Sequence, residues 1–217
     1  MTPTIKTPKA SAALSGGRRE RKRRETRERI FRAAMELFAR QGFFNTTVED
    51  ITEAADVAKG TFFNYFPSKE QVFGVLHEIQ LKQIGEARSL AELGERPIRD
   101  LLQAFIHRIT AEPARSPMLA RGLVGTLLSS EAVREAQIQT MARGVRLLGE
   151  ILRMGQQRGE IRHDLSVEDM ARTLQQALLG TVVLWSVGPA SNLQKRLDTA
   201  FEVYWSGISL QRAGQRE

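Results

Sequence analysis

Residues 47–67, TVEDITEAADVAKGTFFNYFP, contain two short helix signals separated by a turn. Thr47 suits the start of a helix, because its hydroxyl can accept a backbone N–H of the first turn, and Asp50 completes a near relative of the capping box. A second segment runs from Lys59 to Phe66 and ends at Pro67, since proline disfavours helix in the residue before it. The sequence therefore predicts two short helices joined by a tight turn at residues 56–58.

This pattern is typical of a helix-turn-helix, which places its second helix in the major groove of DNA. Asp56 suits the turn, because aspartate adopts left-handed backbone more easily than most residues. Gly60 has no side chain, so the backbone beside it can approach a phosphate closely. Lys69, just beyond the second helix, can reach a phosphate as a point charge.

The flanking sequence predicts a helix on each side of this unit. The preceding helix ends at Gly42, where left-handed backbone is cheap. Its inward positions, spaced three and four apart, are Ile30, Ala33, Ala34, Leu37 and Phe38. The following helix is expected to be capped by Ser68, with Gln71 at its third position.

The remainder of the chain predicts long helices separated by proline, glycine and serine. They run from Pro97 to about Glu112, from Pro117 to about Ser129, over residues 131–158 before Gly159, from a cap at Ser166, and after Pro189. No alternating strand pattern extends beyond a few residues. The predicted fold class is all-α with about nine helices.

The positive charge is concentrated in the first third of the chain. Residues 1–69 contain 14 Lys and Arg against 8 Asp and Glu, a net +6 of the chain's +7. Such asymmetry favours a polyanionic partner for this part. Residues 1–17 have no apolar period and are expected to be disordered. Residues 18–29, here called the basic segment, are either a flexible arm that reaches phosphates or the minor groove, or a solvated helix face.

Several classes of protein are disfavoured by composition. The chain has no cysteine and only three histidines, none spaced as metal ligands, so neither a metal site nor a cofactor is expected. No apolar run reaches the ~20 residues of a membrane span, and no signal peptide is present, so a cytoplasmic protein without a membrane partner is expected. No phosphate loop, nucleophile motif or other catalytic signature occurs, which disfavours an enzyme.

The stretch from about Glu25 to Phe73 resembles the N-terminal domain of the tetracycline-repressor (TetR) family of transcription regulators. The matching motifs are A-x-x-L-F-x-x-x-G-F, T-T-V-x-x-I-x-x-A-A and V-A-K-G-T-F-F-N-Y-F-P-S-K-E, in that order. The resemblance implies a dimer that places two recognition helices in successive major grooves of a near-palindromic operator.

The resemblance also assigns expected roles to residues of this chain. Those expected to face DNA are Thr47, Lys59, Gly60, Thr61, Phe63, Asn64, Tyr65 and Lys69, with Thr47 and Lys69 on phosphates. Phe62 and Phe66 are expected in the core. Ala58 stands where many members carry serine, so a hydroxyl cap is expected to be missing, and Asp56 replaces a common glycine.

The last two helices carry apolar residues on two sides, and a helix that is apolar on two sides must be buried on both. One side can face the core and the other a second subunit. The predicted dimer interface comprises Leu179, Val183, Leu197, Phe201 and Tyr204. Alternatively, the second stripe covers only the protein's own core.

Three regions are predicted: a tail over residues 1–17, a DNA-binding domain over 18–69, and an effector-binding and dimerisation domain over 70–217. The expected function is that of a dimeric repressor released from its operator by an unidentified small-molecule effector. Apolar or polarizable pocket candidates, each also suited to the core, are Phe105, His107, Met118, Leu123, Met154 and Trp185. A helical interaction module without DNA binding, or a regulator without a ligand, remains an alternative.

Overall fold

The computed structural model describes residues 11–129, 131–189 and 191–210, and within them the chain forms nine α-helices. They are α1 (Ser11–Gln41), α2 (Val48–Ala54), α3 (Lys59–Tyr65), α4 (Phe73–Leu93), α5 (Ile98–Thr110), α6 (Pro117–Ser129), α7 (Glu131–Gln157), α8 (Val167–Val187) and α9 (Leu193–Ile208). The only β-pairing among these residues is an isolated bridge between Ile161 and Ser209. The predicted all-α class is confirmed.

Local features of the sequence predicted most helix ends correctly. Gly42 and Gly159 have φ values of +86° and +69°, the left-handed backbone that ends a helix most cheaply at glycine. The Ser166 hydroxyl caps α8 by accepting the N–H of Asp169 at 3.0 Å. Pro97 is the N-cap of α5, one residue before the first turn in which the sequence places it.

Two predictions about helix starts were wrong. α1 begins at Ser11, so residues 11–17 of the predicted tail belong to a helix, and residues 1–10 lie outside the described part of the chain. Alanine and leucine at positions 12–14 favour helix strongly, which outweighs the neighbouring glycines. Ser68 accepts the N–H of Gln71 through its backbone carbonyl, and a 3₁₀ turn over Glu70–Val72 leads into α4.

The N-terminal core joins α1, α2 and α3 to the first turn of α4 and to Leu119 of α6. Its largest fully buried side chains are Phe38, Phe62, Phe66, Phe73, Ile30, Met35 and Ile51. At roughly 25 cal/mol per Å² of apolar surface, each buried phenylalanine contributes a few kcal/mol to this small unit. These residues hold the two short helices against α1, although helices of seven residues are marginal alone.

The second core is built by α4 to α9. α7 packs against both α4 and α8, and α8 packs against α9. Tyr204 of α9 donates its hydroxyl to the carbonyl of Met170 at 2.9 Å, which satisfies a buried polar group. None of the described helices combines the length and the apolar composition of a membrane span.

α6 connects the two cores through glycine contacts. A Cβ added at Gly122 would lie 2.5 Å from Cβ of Phe43, and one at Gly125 would lie 2.9 Å from Cζ of Phe44. Real Cβ atoms do not approach this closely, so α6 can lie against Phe43 only because position 122 lacks a side chain, whereas the exposed Phe44 ring could turn away from a side chain at position 125. Arg115 extends the contact through an ion pair with Glu36 of α1.

Candidate functional site

The α2–turn–α3 unit has the geometry that its sequence predicts. The Thr47 hydroxyl accepts the N–H of Asp50 at 3.1 Å, and the Asp50 carboxylate accepts the N–H of Thr47 at 2.8 Å, which completes a capping box. The hydrogen bond from the Thr47 N–H, and to a lesser extent one from the Thr47 hydroxyl, lowers the pKa of Asp50. Asp56 has φ +49°, the left-handed backbone expected in the turn.

α3 presents one face to the core and another to solvent. Phe62 and Phe66 are buried in the N-terminal core, as expected. Lys59, Gly60 and Asn64 are exposed, and Phe63 is 45% exposed despite its large apolar ring. Thr61 and Tyr65 are half-buried between the two faces. The structure thus brings together the residues predicted to face DNA, and DNA contact itself stays a prediction.

The space around Gly60 is empty. A Cβ added there would meet nothing within 4 Å, unlike one at Gly122 or Gly125. Within the free chain an alanine would be accommodated, and it would favour the helix. The fold therefore gives no reason for glycine at this position, whereas close approach of another molecule does.

Lys59 forms an ion pair with Glu49 across the turn between α2 and α3. The hydrogen bond from Lys59 lowers the pKa of Glu49, which keeps that carboxylate ionised. Both side chains are exposed, so the pair contributes little to stability. The Lys59 ammonium has three N–H groups, so this contact leaves donors free for a phosphate.

Lys69 has a structural role that sequence reasoning missed. Its ammonium donates to the carbonyl oxygens of Phe43 and Thr46, at 2.8 and 2.7 Å, and lies 4.2 Å from the centre of the Phe43 ring. Partial burial lowers its pKa. Two of the three N–H groups of Lys69 thus donate to the loop before α2 and stabilise its conformation. Only one N–H group remains for the predicted phosphate contact.

Ala58 is the N-cap of α3 and provides no side-chain hydrogen bond. The missing hydroxyl cap noted in the sequence is therefore also missing in the structure. A side-chain cap typically stabilises a helix by about 1 kcal/mol. α3 depends instead on Phe62, Phe66 and the turn for its position.

A cavity of about 210 Å³ lies in the second domain, bordered by α4, α5, α6, α7 and α8. Among the side chains that the structure describes, no Asp, Glu, Lys or Arg lines it. Its polar lining consists of His77, Gln80, Thr110, Gln137, Thr140 and Gln175, among aliphatic and aromatic groups. Two pocket candidates from the sequence, Phe105 and Leu123, line it, whereas His107, Met118, Met154 and Trp185 do not.

A histidine–glutamine pair is the main polar feature of this cavity. Nε2 of His77 lies 2.7 Å from Nε2 of Gln137. Burial lowers the pKa of His77 to about 4, so the ring is neutral near pH 7 and accepts the amide N–H at Nε2. Sequence reasoning missed this pair, although His77 shares a helical stripe with Leu81 and Ile84, where a polar residue is unusual.

The predicted dimer interface divides into buried and accessible residues. Leu197, Phe201 and Tyr204 are buried in the chain's own core, so they present no surface to a partner. Leu179 and Val183 remain half-buried. Periodicity could not separate the two sides of α9, because both carry large apolar residues. The exposed large apolar residues of α8 and α9 are Leu184, Val187 and Val203.

Comparison with known proteins gives matches along most of the chain. Residues 30–76 match the family described as bacterial regulatory proteins, tetR family. Residues 77–207 match the C-terminal domain of TetR/AcrR family transcriptional repressors. Together the two matches cover both helical cores.

Individual relatives agree with these matches. The transcriptional regulator TcmR of Streptomyces glaucescens is 39% identical over 104 residues, 46% of this chain and 44% of that protein, so the match spans less than half of that relative. The repressor DhaR of Mycobacterium sp. strain GP1 is 28% identical over 74% of this chain and 82% of its own length. The crystal structure of Thermus thermophilus FadR with lauroyl-CoA is 31% identical, with a TM-score of 0.61 over 88% of this chain and 98% of that one.

Replacement of Gly60 by alanine should separate stability from DNA binding. We expect Gly60→Ala to raise Tm by about 2 °C, because alanine favours helix by up to about 1 kcal/mol. The added methyl group should obstruct close approach and weaken DNA binding by about tenfold, equivalent to about 1.4 kcal/mol. Thermal melting and fluorescence anisotropy with duplex DNA measure the two effects.

The matched control is Gly85→Ala in α4, where an added Cβ also meets nothing within 4 Å. It should stabilise the protein similarly and leave DNA affinity unchanged. Equal DNA affinity of Gly60→Ala and wild type would contradict a DNA-facing Gly60.

Proposed function

The chain belongs to the tetR family of bacterial regulatory proteins, which are DNA-binding transcription regulators and not enzymes, and we propose that it is a homodimeric repressor released from a near-palindromic operator by a small-molecule effector whose buried part is uncharged. The exposed, glycine-containing face of α3 is the observation that carries the DNA-binding part. A helix-turn-helix dimer reads two half-sites about one helical turn, ~34 Å, apart. A cytoplasmic location accords with this role.

In this proposal Lys59, Thr61, Phe63, Asn64 and Tyr65 contact base edges or phosphates from α3. The Thr47 hydroxyl accepts the Asp50 N–H within the capping box and is hydrogen-bonded to the Asp50 carboxylate, so a phosphate would take the place of that carboxylate as the acceptor of its proton. The Glu49 carboxylate beside Lys59 repels phosphates and so weakens the contribution of Lys59 to binding. Phosphate contacts position the helix, while base contacts supply sequence preference.

A second copy of the chain is the proposed partner of the outer α8–α9 face. This face comprises Gly180, Val183, Leu184 and Val187 of α8, which are spaced three and four residues apart, with Val203 of α9. Leu184 and Val187 are each 66% exposed and Val203 is 69% exposed. Exposed apolar residues on two neighbouring helices are typical of a four-helix interface between two subunits.

The cavity is the proposed effector site. Thermus thermophilus FadR binds lauroyl-CoA, and by analogy a ligand of this chain would lie among the corresponding helices. Because the described part of the lining has no Asp, Glu, Lys or Arg and His77 is neutral, the part of the ligand that enters should be apolar with an uncharged hydrogen-bonding group.

The cavity is also placed to influence DNA binding. His77 and Gln80 of α4 line it one to two turns after Phe73 and Val75, which belong to the N-terminal core. Leu123 and Val124 of α6 line it beside Gly122, which contacts Phe43. A ligand alters DNA affinity only if it binds two arrangements of these helices with different affinity.

Selection of binding sites from random duplexes, followed by footprinting, tests operator recognition. We expect a protected near-palindrome with half-sites about one turn apart, and loss of that protection in Tyr65→Ala at equal helical content. Salt-sensitive binding without sequence preference, equal in both proteins, would contradict the proposal.

A charge on the α8–α9 face should disrupt the dimer. Leu184→Asp should sediment as a folded monomer and bind the selected operator at least about tenfold more weakly, because the two half-sites are no longer engaged together. Leu93→Asp at the end of α4 is the matched control, since Leu93 is also 66% exposed. A Leu184→Asp protein that sediments as a dimer would show that the interface lies elsewhere.

The effector class can be tested with alcohols, carboxylates and alkanes of equal chain length. We expect alcohols to raise Tm and release the operator duplex, with little pH dependence between about pH 5.5 and 8 because His77 stays neutral there. Gln137→Leu should reduce the preference for alcohol over alkane by about 2- to 12-fold, the range for one hydrogen bond.

Gln139→Leu, an exposed site on the same helix, should leave that preference unchanged. Strongest release by the carboxylates would contradict a neutral ligand.

A further inference from the structure

We propose that the basic segment, residues 18–29, is a rigid helical extension of α1 that binds the DNA phosphate backbone beside the base pairs contacted by α3. This inference rests on the proposed function, because it requires a duplex seated on α3. It concerns a surface outside the helix-turn-helix itself. The ligand chemistry is that of phosphodiesters on one DNA strand.

One face of the basic segment lies alongside the recognition helix. A groove between α1 and α3 is lined by Arg19, Glu20, Lys22, Arg23, Thr26, Thr61 and Tyr65. Arg19, Lys22, Arg23 and Thr26 are spaced three and four residues apart and so share one side of the helix. The same groove contains Thr61 and Tyr65, which are predicted to face DNA, so a duplex on α3 passes beside these cations.

The base of the segment is fixed to the folded protein. The Arg27 guanidinium donates two hydrogen bonds to the Glu78 carboxylate of α4, at 2.8 and 2.7 Å. It also lies 5.7 Å from the centre of the buried Phe66 ring. Bidentate arginine–carboxylate pairs fix orientation as well as distance. The segment is therefore directed by α1 and α4 rather than free to search as a flexible arm.

The groove cations lack acidic partners among the described residues. Arg21, on the opposite side, pairs with Glu25 at 3.5 Å, whereas Arg19, Lys22 and Arg23 form no ion pair there. Of the described residues that line the groove, only Glu20 is acidic. Cations three and four residues apart repel each other, so this face has unsatisfied positive charge that a polyanion would neutralise.

The spacing of the groove cations suits two phosphates. At 1.5 Å per residue, Arg19 lies about 6 Å along the helix from Arg23. Each DNA strand has one phosphate about every 3.4 Å of its axis. The groove cations therefore extend over about two phosphate spacings.

Salt dependence of DNA binding tests this inference. We compare wild type with Arg19→Gln/Arg23→Gln on the groove side and with Arg21→Gln/Arg24→Gln on the opposite side. The two variants remove equal charge from exposed arginines of the same helix turns. Binding is measured with a 30-base-pair duplex of the selected operator and with a scrambled duplex of the same length, and circular dichroism verifies helical content.

We expect the groove variant to lower the slope of log affinity against log salt by about 1.8 per bound protomer. The ratio of wild-type affinity to variant affinity should then increase about 12-fold per protomer as salt falls from about 200 to about 50 mM. The increase should be the same on the operator and the scrambled duplex. The opposite-side variant should stay close to wild type.

Equal losses in both variants, or no change in either, would overturn the proposed contact. A wild-type protein that does not distinguish operator from scrambled duplex would instead contradict the proposed function, while the slope comparison on scrambled DNA still tests the segment.

Discussion

The aromatic contact around Phe43 is the constraint that the rest of the structure depends on. The Phe43 ring centre lies 5.1 Å from that of Phe38 and 5.4 Å from that of Phe73, so the loop before α2 is joined to both α1 and α4. Lys69 covers the ring from one direction, and Gly122 of α6 approaches its Cβ. Four separate parts of the chain thus meet at one residue. Because protein interiors are close-packed, none of them can shift without the others adjusting.

This junction explains why a cavity in one domain can matter to a surface in the other. α4 and α6 each pass from the junction to the cavity wall. α4 and α6 each contact the N-terminal core over a short stretch, and each contact depends on shape. Phe73 of α4 packs against the rings of Phe38 and Phe43, and Gly122 of α6 lies where a methyl group would collide with Phe43. Packed contacts of this kind have discrete arrangements rather than a continuous range, which is what a ligand-dependent change of affinity requires.

Sequence reasoning succeeded where a residue's own chemistry determines its structure. Thr47 with Asp50, Gly42 and Asp56 have local signals that tertiary contacts left unchanged. It failed where the outcome depends on distant neighbours. The role of Lys69 is set by carbonyl groups more than twenty residues away. Phe201 and Val203 are both apolar residues of α9, and only the packing of α8 against α9 decides that one is buried and the other exposed. The cavity pair of His77 and Gln137 joins helices sixty residues apart, a relation that no pattern along the chain records.

The bidentate pair between Arg27 and Glu78 couples the orientation of α1 to that of α4. A rotation of the start of α4 therefore also rotates α1, and the displacement of α1 grows with distance from Arg27. Arg18 lies about 13 Å from Arg27 along the axis, so a rotation of about 10° moves its backbone by about 2 Å. That distance exceeds the tolerance of a direct ion pair. A change too small to withdraw α3 from a groove is therefore large enough, at the far end of α1, to separate a cation from a phosphate.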